Sequence, residues 1–226
     1  MGSLFLIRHA QASYGQADYD RLSPRGIEQA KTLAAPLRAA KLDQVYRGPH
    51  VRHRETAEGA GVGDATMLDE LAEYPAFAIL QQFMPRLIAE DPRFAELTKN
   101  PTRELTNAAF KTVLGRWMRD EWHGDGVERV GAFASRVRAG LDKVLSAAAS
   151  GARIGIVTSA GPIGVAIGLV FGSSEHHMVR TSLVVRNASI SELVFRSRDF
   201  SWHPERVSLV SFNATHHLPA ELHTEY

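Results

Sequence analysis

The sequence predicts an α/β fold of three layers, a mostly parallel sheet flanked by helices on both faces, with a helical insertion capping the site. Three observations carry that expectation. Leu4–Ile7 and Ile154–Thr158 are apolar without alternation, as strands covered on both faces of a parallel sheet are. Strand-like runs of this kind alternate with stretches of helical period. The length, 226 residues, is enough for one large core and short for two. Residues 1–226 are therefore read as a single domain.

The first strand, Leu4–Ile7, stops at Arg8-His9. After a loop, Ser23 supplies an N-cap and Pro24 the first helical position. Ile27, Ala30, Leu33, Ala34 and Leu37 then recur at helical spacing, with Pro36 bending or ending the helix. Val45-Tyr46 reads as a short strand, and a helix follows from Val51 to about Ala60. In the middle third, Leu80, Phe83, Met84, Leu87 and Ile88 share a helical face, although Pro85 argues for a kink or early turn. Phe110, Val113, Leu114, Trp117 and Met118 form a second stripe, with breaks at Asp91-Pro92 and Asn100-Pro101 between the two. Residues 75–125 are thus expected to be a helical insertion. Val130, Phe133, Val137, Leu141, Val144 and Leu145 mark a long amphipathic helix. Ile154–Thr158 runs through Ser159-Ala160-Gly161-Pro162 into an apolar helix ending near Gly172. Leu183–Arg186, Ile190–Phe195 and Val207–Phe212 read as closing strands.

Composition narrows the function. There is no cysteine, which excludes disulfides, thiolate zinc sites and cysteine nucleophiles. It also fits a cytoplasmic protein, an expectation that the lack of a basic, then apolar, N-terminal stretch supports. A net charge of +1 gives no reason to expect nucleic acid or an anionic membrane as partner. The ten histidines show no ligand spacing with a carboxylate, so no metal and no cofactor is expected. His50, His53 and the pairs His176-His177 and His216-His217 are read as surface or capping residues. Arg129, Arg136 and Arg138 are read as facing water, and Trp117 and Trp122 as core.

Ligands of open α/β sheets bind beyond the carboxyl ends of the strands. Two strands end there in polar residues and a turn, at Arg8-His9 and at Ser159-Ala160-Gly161, and Arg52 opens a helix after a third. Converging guanidinium groups suit an oxyanion such as phosphate. The helix start at Gly161-Pro162 can offer backbone N–H groups to it. A histidine in that setting can attack phosphorus and split one hard step into two. The leaving oxygen then needs an acid, and Glu70 and Glu73 are the carboxylates on the loop after the Arg52 helix.

Several segments together resemble the histidine phosphatase superfamily, the phosphoglycerate-mutase-like proteins. They are Leu4–Ala12, Leu22–Gly26 with Gln29-Ala30, Arg52–Ala57, Leu71–Tyr74, Val157–Ile163, and Phe212-Asn213 with His217-Leu218. The matches fall in order along nearly the whole chain. The resemblance implies that His9 is the phosphorylated nucleophile and that Arg8 and Arg52 hold phosphoryl oxygens. Ser159 and Ala160 join them at the late turn, and Glu73 is the proton donor and later the base, with Glu70 as the fallback. It implies a metal-independent phosphomonoesterase acting on a phosphorylated small molecule or phosphoprotein.

Two departures stand out. Ala10 replaces the family's glycine after Arg-His, and Ser159 stands where the family has a second histidine. A neutral donor there is weaker than a charged one, which lowers the expected rate, and His217 is a conceivable substitute. The alternatives are a phosphate-binding module that has lost catalysis and a phosphoglycerate-mutase-type phosphotransferase. The latter is disfavoured because the longer segments that bind phosphoglycerate have no match.

Overall fold

The structure is a computed structural model and describes residues 1–13 and 20–224; part of the loop expected after the first strand lies outside them. In chain order the elements are β1 (Gly2–Arg8), α1 (Pro24–Thr32), α2 (Ala34–Ala40), β2 (Gln44–Arg47), α3 (Val51–Gly59), β3 (Thr66–Met67), α4 (Ala76–Glu90), α5 (Arg103–Met118), α6 (Val130–Ser146), β4 (Arg153–Thr158), α7 (Ala160–Val170), α8 (Glu175–Ser182), β5 (Ile190–Phe195) and β6 (Val207–Ala214). The chain divides into two compact units, one of Met1–Glu73 with Arg136–Tyr226 and one of Tyr74–Ser135.

The first unit holds the sheet, in the order β3-β2-β4-β1-β5-β6. β3, β2, β4 and β1 are parallel, and β5 runs against both β1 and β6. This is the mostly parallel α/β sheet that the sequence predicts. β1 and β4 are central and buried along nearly their whole length, which is why their sequences lack alternation. Phe5 and Ile7 pack on one face with Ala30, Leu33, Leu37 and Ala57 of the α1–α3 layer.

α7 lies against β1. It is apolar all round and buried from Gly161 to Val170, as a helix enclosed by other elements must be. Its Gly164 and Gly168 let α8 approach closely; a Cβ at either would sit 2.3 Å from an atom of Met178.

Details depart from the sequence reading. Ser23 caps α1 through its side chain as expected, but the break comes at Leu33, before Pro36, which falls in the first turn of α2 where no N–H partner is lost. Leu183–Arg186 is not a strand; it is the turn that leaves α8, a helix the sequence reading missed. Leu183 and Val184 are exposed there, so their β-branched and apolar character does not mark a paired strand.

In the second unit α4 continues through Pro85, which is exposed. Its fully buried positions are Ile79, Phe83 and Leu87, while Leu80, Met84 and Ile88 are half-buried beside them. Trp117 and Trp122 are core, each 1% exposed. The Trp117 indole donates to the Glu128 carbonyl at 2.8 Å, and Trp122 packs against Phe83. Among the described residues, no helix is long and apolar enough to cross a membrane.

Candidate active site

Parallel pairing sets Arg8 beside Thr158 and Arg47 beside Val157, so β1, β4 and β2 end on one line. Whatever follows each strand is brought together: His9 after β1, Ser159 after β4, and Gly48 leading to α3 after β2. α3 turns toward this line an unusual buried face of Arg52, His53, Thr56 and Ala57.

His9 is held on every side and is 7% exposed. Its N–H donates to the Thr158 carbonyl at 2.8 Å, and its own carbonyl accepts from Ala188 N–H and Asn187 Nδ2, each at 3.2 Å. In the ring, Nδ1 lies 2.7 Å from the Ala10 carbonyl, an acceptor only, so Nδ1 carries the proton. Nε2 is then the lone-pair nitrogen, and it accepts from Arg52 Nε at 3.2 Å. Burial holds the imidazole well below its ordinary pKa, and the charges of Arg52 and Arg8 and the neighbouring His53 act in the same direction. His9 is thus a neutral base of fixed tautomer in a cationic pocket.

Arg52 reaches several partners. Besides His9, its Nη1 pairs with Asp20 and its Nη2 donates to Ser159 Oγ at 3.3 Å. Asp20 also accepts from Val51 N–H at 2.8 Å, tying the first turn of α3 to that carboxylate. Thr56 accepts from Ala10 N–H at 3.0 Å and so joins α3 to the loop after β1. Arg8 is half-buried and gives Nη1 to the Val185 carbonyl.

The two candidate acids separate clearly. Glu73 Oε2 accepts from the Gly161 N–H at 3.0 Å, at the start of α7 beside Ser159. The Glu70 carboxylate instead faces Lys143 of α6, at 3.8 Å. The N–H that the sequence reading offered to an anion at Gly161 is therefore engaged by Glu73, and Pro162 has none to give. Ala160 opens α7 between Ser159 and Gly161. Arg136 does not face water: its Nη1 donates to the carbonyls of Glu70 at 2.9 Å and Ala72 at 3.2 Å, fastening the backbone that carries Glu73.

His53 is the residue that sequence reasoning misplaced. It is not a surface or capping histidine but fully buried, with Nε2 2.8 Å from Ser159 Oγ and its ring centroid 5.6 Å from that of His9. Burial and then the charge of Arg52 hold it well below the ordinary histidine range. The signal was present in α3, whose buried face is polar; a helix that turns Arg, His and Thr inward serves a site. His50, at the N-cap of α3, is lowered to about 4 by burial and Arg52. His217 lies apart from Ser159, with Nε2 on the Ala188 carbonyl at 2.9 Å. Among the described residues no group of three or more His, Cys, Asp or Glu side chains is placed to hold a metal ion. A surface cavity bounded by Leu37, Lys41, Asp43, Gln44, Ala60 and Asp64 opens at the amino end of β2 and contains none of the groups above.

The family model for the histidine phosphatase superfamily (branch 1) matches residues 4–76 and 74–207. The chain belongs to the histidine phosphatase superfamily. No curated protein matches it. Among solved structures, this histidine phosphatase chain is similar to a phosphoserine phosphatase mutant from Entamoeba histolytica in complex with phosphoserine. There the TM-score is 0.61 at 19% identity, over 97% of this chain and 100% of that one. It is also similar to a mycobacterial glucosyl-3-phosphoglycerate phosphatase in complex with inorganic phosphate, with TM-score 0.64 at 18% identity over 97% and 100% of the two chains. A third is Bacillus stearothermophilus YhfR, with TM-score 0.67 at 15% identity over 96% and 99%. At such identities the likeness is one of fold.

Proposed function

We propose that this histidine phosphatase-family chain is a metal-independent phosphomonoester hydrolase working through a phosphohistidine at Nε2 of His9. The observation that carries the reading is the neutral, buried His9, whose Nδ1–H is fixed on Ala10 and whose Nε2 lone pair lies beside the Arg52 guanidinium. A nucleophile must be unprotonated, and this one is kept so by the same cations that draw a phosphate.

In the first step the Nε2–P bond forms as the ester P–O bond breaks, and the protonated Glu73 carboxyl gives its proton to the leaving oxygen. In the second, Glu73 takes a proton from water as that water attacks phosphorus; phosphate departs and His9 regains its lone pair. Arg8, Arg52, Ser159 and the backbone at Ala160 hold the phosphoryl oxygens. Arg52 Nε must pass from His9 Nε2 to a phosphoryl oxygen as the new bond forms. The guanidiniums supply the positive charge, so the chemistry calls for no metal. The solved relatives named for phosphoserine and glucosyl-3-phosphoglycerate suggest a small phosphorylated metabolite ahead of a phosphoprotein. A cytoplasmic location accords with the absence of cysteine.

The test is hydrolysis of p-nitrophenyl phosphate in the presence of a chelator, comparing wild type with His9→Ala, together with acid-quenched and base-quenched trapping of radiolabelled phosphoenzyme. Turnover lost in the variant, with a label stable to base and labile to acid, supports the reading. Equal turnover in both proteins defeats it. A second reading, a phosphate-binding module without catalysis, is favoured by the Arg52 contacts to Asp20 and Ser159, which already occupy the guanidinium. Phosphate binding without turnover would select it, and interconversion of two phosphoglycerates would select a mutase.

A further inference from the structure

We propose that His53 is a positioning residue for the phosphoryl pocket, deciding through its hydrogen bond to Ser159 whether the serine proton points at the imidazole or at a phosphoryl oxygen. The inference rests on the phosphate-binding reading above and adds a residue to it.

The Ser159 hydroxyl has one proton and accepts with its oxygen. That oxygen accepts from Arg52 Nη2 at 3.3 Å and stands 2.8 Å from His53 Nε2. His53 Nδ1 faces the Gly48 backbone carbonyl, without the alignment of a full hydrogen bond. In the proposed resting state the neutral ring carries its proton on Nδ1, on the side of Gly48, and Nε2 takes the serine proton. In that arrangement Ser159 presents lone pairs to its surroundings and repels a phosphoryl oxygen.

One proton reverses this. With His53 charged, Nε2–H donates to Ser159 Oγ and the serine proton is released toward the phosphate. The groups that set the balance are Arg52 and His50 on α3, Arg47 at the end of β2, and His9 across the pocket. Arg52, His50 and Arg47 all disfavour a charge on His53, and burial disfavours it most. A phosphoryl dianion between Arg8, Arg52 and Ser159 opposes that field and stabilises the imidazolium. The proton comes from the phosphate monoanion itself or from solvent, so binding the dianion and charging His53 are one linked event. A serine backed by a protonatable histidine thereby gives the pocket a cationic donor only when an anion is present.

The positioning is built into the backbone. A Cβ at residue 48 would lie 2.4 Å from His53 Nδ1 and 2.7 Å from the Leu71 carbonyl, so the ring fits only over a glycine.

The experiment is histidine-selective nitrogen-15 NMR of the full chain, titrated with inorganic phosphate near neutral pH, with His53 assigned by its loss in His53→Gln. The expected result is that phosphate moves His53 Nε2 from the unprotonated to the protonated class, and that Ser159→Ala binds phosphate while His53 stays neutral. If phosphate shifts the His9 signals and His53 remains neutral in wild type, the inference is overturned and the phosphate-binding reading stands. If phosphate moves no histidine, both fall. Kinetics give a second readout. His53→Gln and Ser159→Ala are each expected to lower kcat/KM on the order of 10²-fold, the effect of losing one transition-state donor. The double variant is expected to fall no further, and multiplying losses would overturn the coupling.

Discussion

Acidification should unfold this protein through the histidines of its site. His9 and His53 are buried, at 7% and 0% exposure, and both are held well below 6.5, first by burial and then by Arg52. In the unfolded chain a histidine titrates near 6.5. Below that pH the unfolded state therefore binds protons that the fold refuses, and stability falls as pH falls. It is fully present above 6.5, and the loss ends only where the pH passes the folded-state value. Each such histidine costs about 1.4 kcal/mol per pH unit inside that window, roughly 3 kcal/mol per unit for the pair. Domains of this size have stabilities of about 5–15 kcal/mol, so the effect is large. Carboxylates contribute to any acid transition, and a difference measurement removes them. Urea unfolding of wild type and His53→Gln, followed by circular dichroism between about pH 7 and pH 5, isolates one histidine. Glutamine carries no proton penalty, so the stability of wild type minus that of the variant should change little near pH 7 and fall as the pH drops below 6.5, approaching about 1.4 kcal/mol for each further pH unit. A gap that stays constant, or widens, would refute a neutral buried His53.

Other perturbations probe the site's separate parts. Glu73→Gln should lower kcat by about 10²–10⁴-fold, the usual share of a general acid and base, whereas Glu70→Gln, whose carboxylate faces Lys143, should change it only a few-fold; steady-state kinetics on one phosphomonoester distinguish them. Gly48→Ala should cost about 1–3 kcal/mol, read as a lower Tm, because the new methyl meets the His53 ring and the Leu71 carbonyl. Arg136→Met should lower kcat by about 10–10²-fold with little change in KM, since it frees the loop that aims Glu73 and leaves the arginines of the pocket in place; a change confined to KM would contradict that role.

The parts of the fold legible in the sequence are those governed by one-dimensional rules. The apolar runs of β1 and β4 announce a sheet buried on both faces, and Ser23-Pro24 marks a helix start to the residue. Leu183–Arg186 misled because Val184 and Val185 carry strand propensity in a turn. Val185 is buried and lends its carbonyl to Arg8, a tertiary contact that propensity does not encode. Among the candidate site residues, Arg8, His9 and Ser159 were legible because strand ends are where ligands collect. Choosing between Glu70 and Glu73 was not a matter of spacing. It depends on which carboxylate reaches the start of α7, and that depends on the path of the Leu71–Glu73 backbone under Arg136. His53 was hidden by its neighbours: adjacent to Arg52 and Arg54, it reads as one more polar residue on an exposed helix. Arg54 does face out, at 48% side-chain exposure, while His53 one position earlier is enclosed.

The electrostatics of the pocket explain why a serine can stand where a charged donor would be stronger. The charges of Arg52 and Arg8 already act on His9, and a further permanent cation beside it would add like-charge repulsion with no anion to relieve it. It would also be buried, and an unpaired buried charge costs several kcal/mol. A hydroxyl carries no such cost. Its weakness as a donor is offset if a neighbour can become charged on demand, and His53 is the buried histidine that touches it. The price of the arrangement is paid at low pH, where protons reach the unfolded chain more readily than the pocket. On the proposed function, acid sensitivity, a nucleophile kept unprotonated, and a donor that charges only with its ligand are thus three consequences of one buried cationic field.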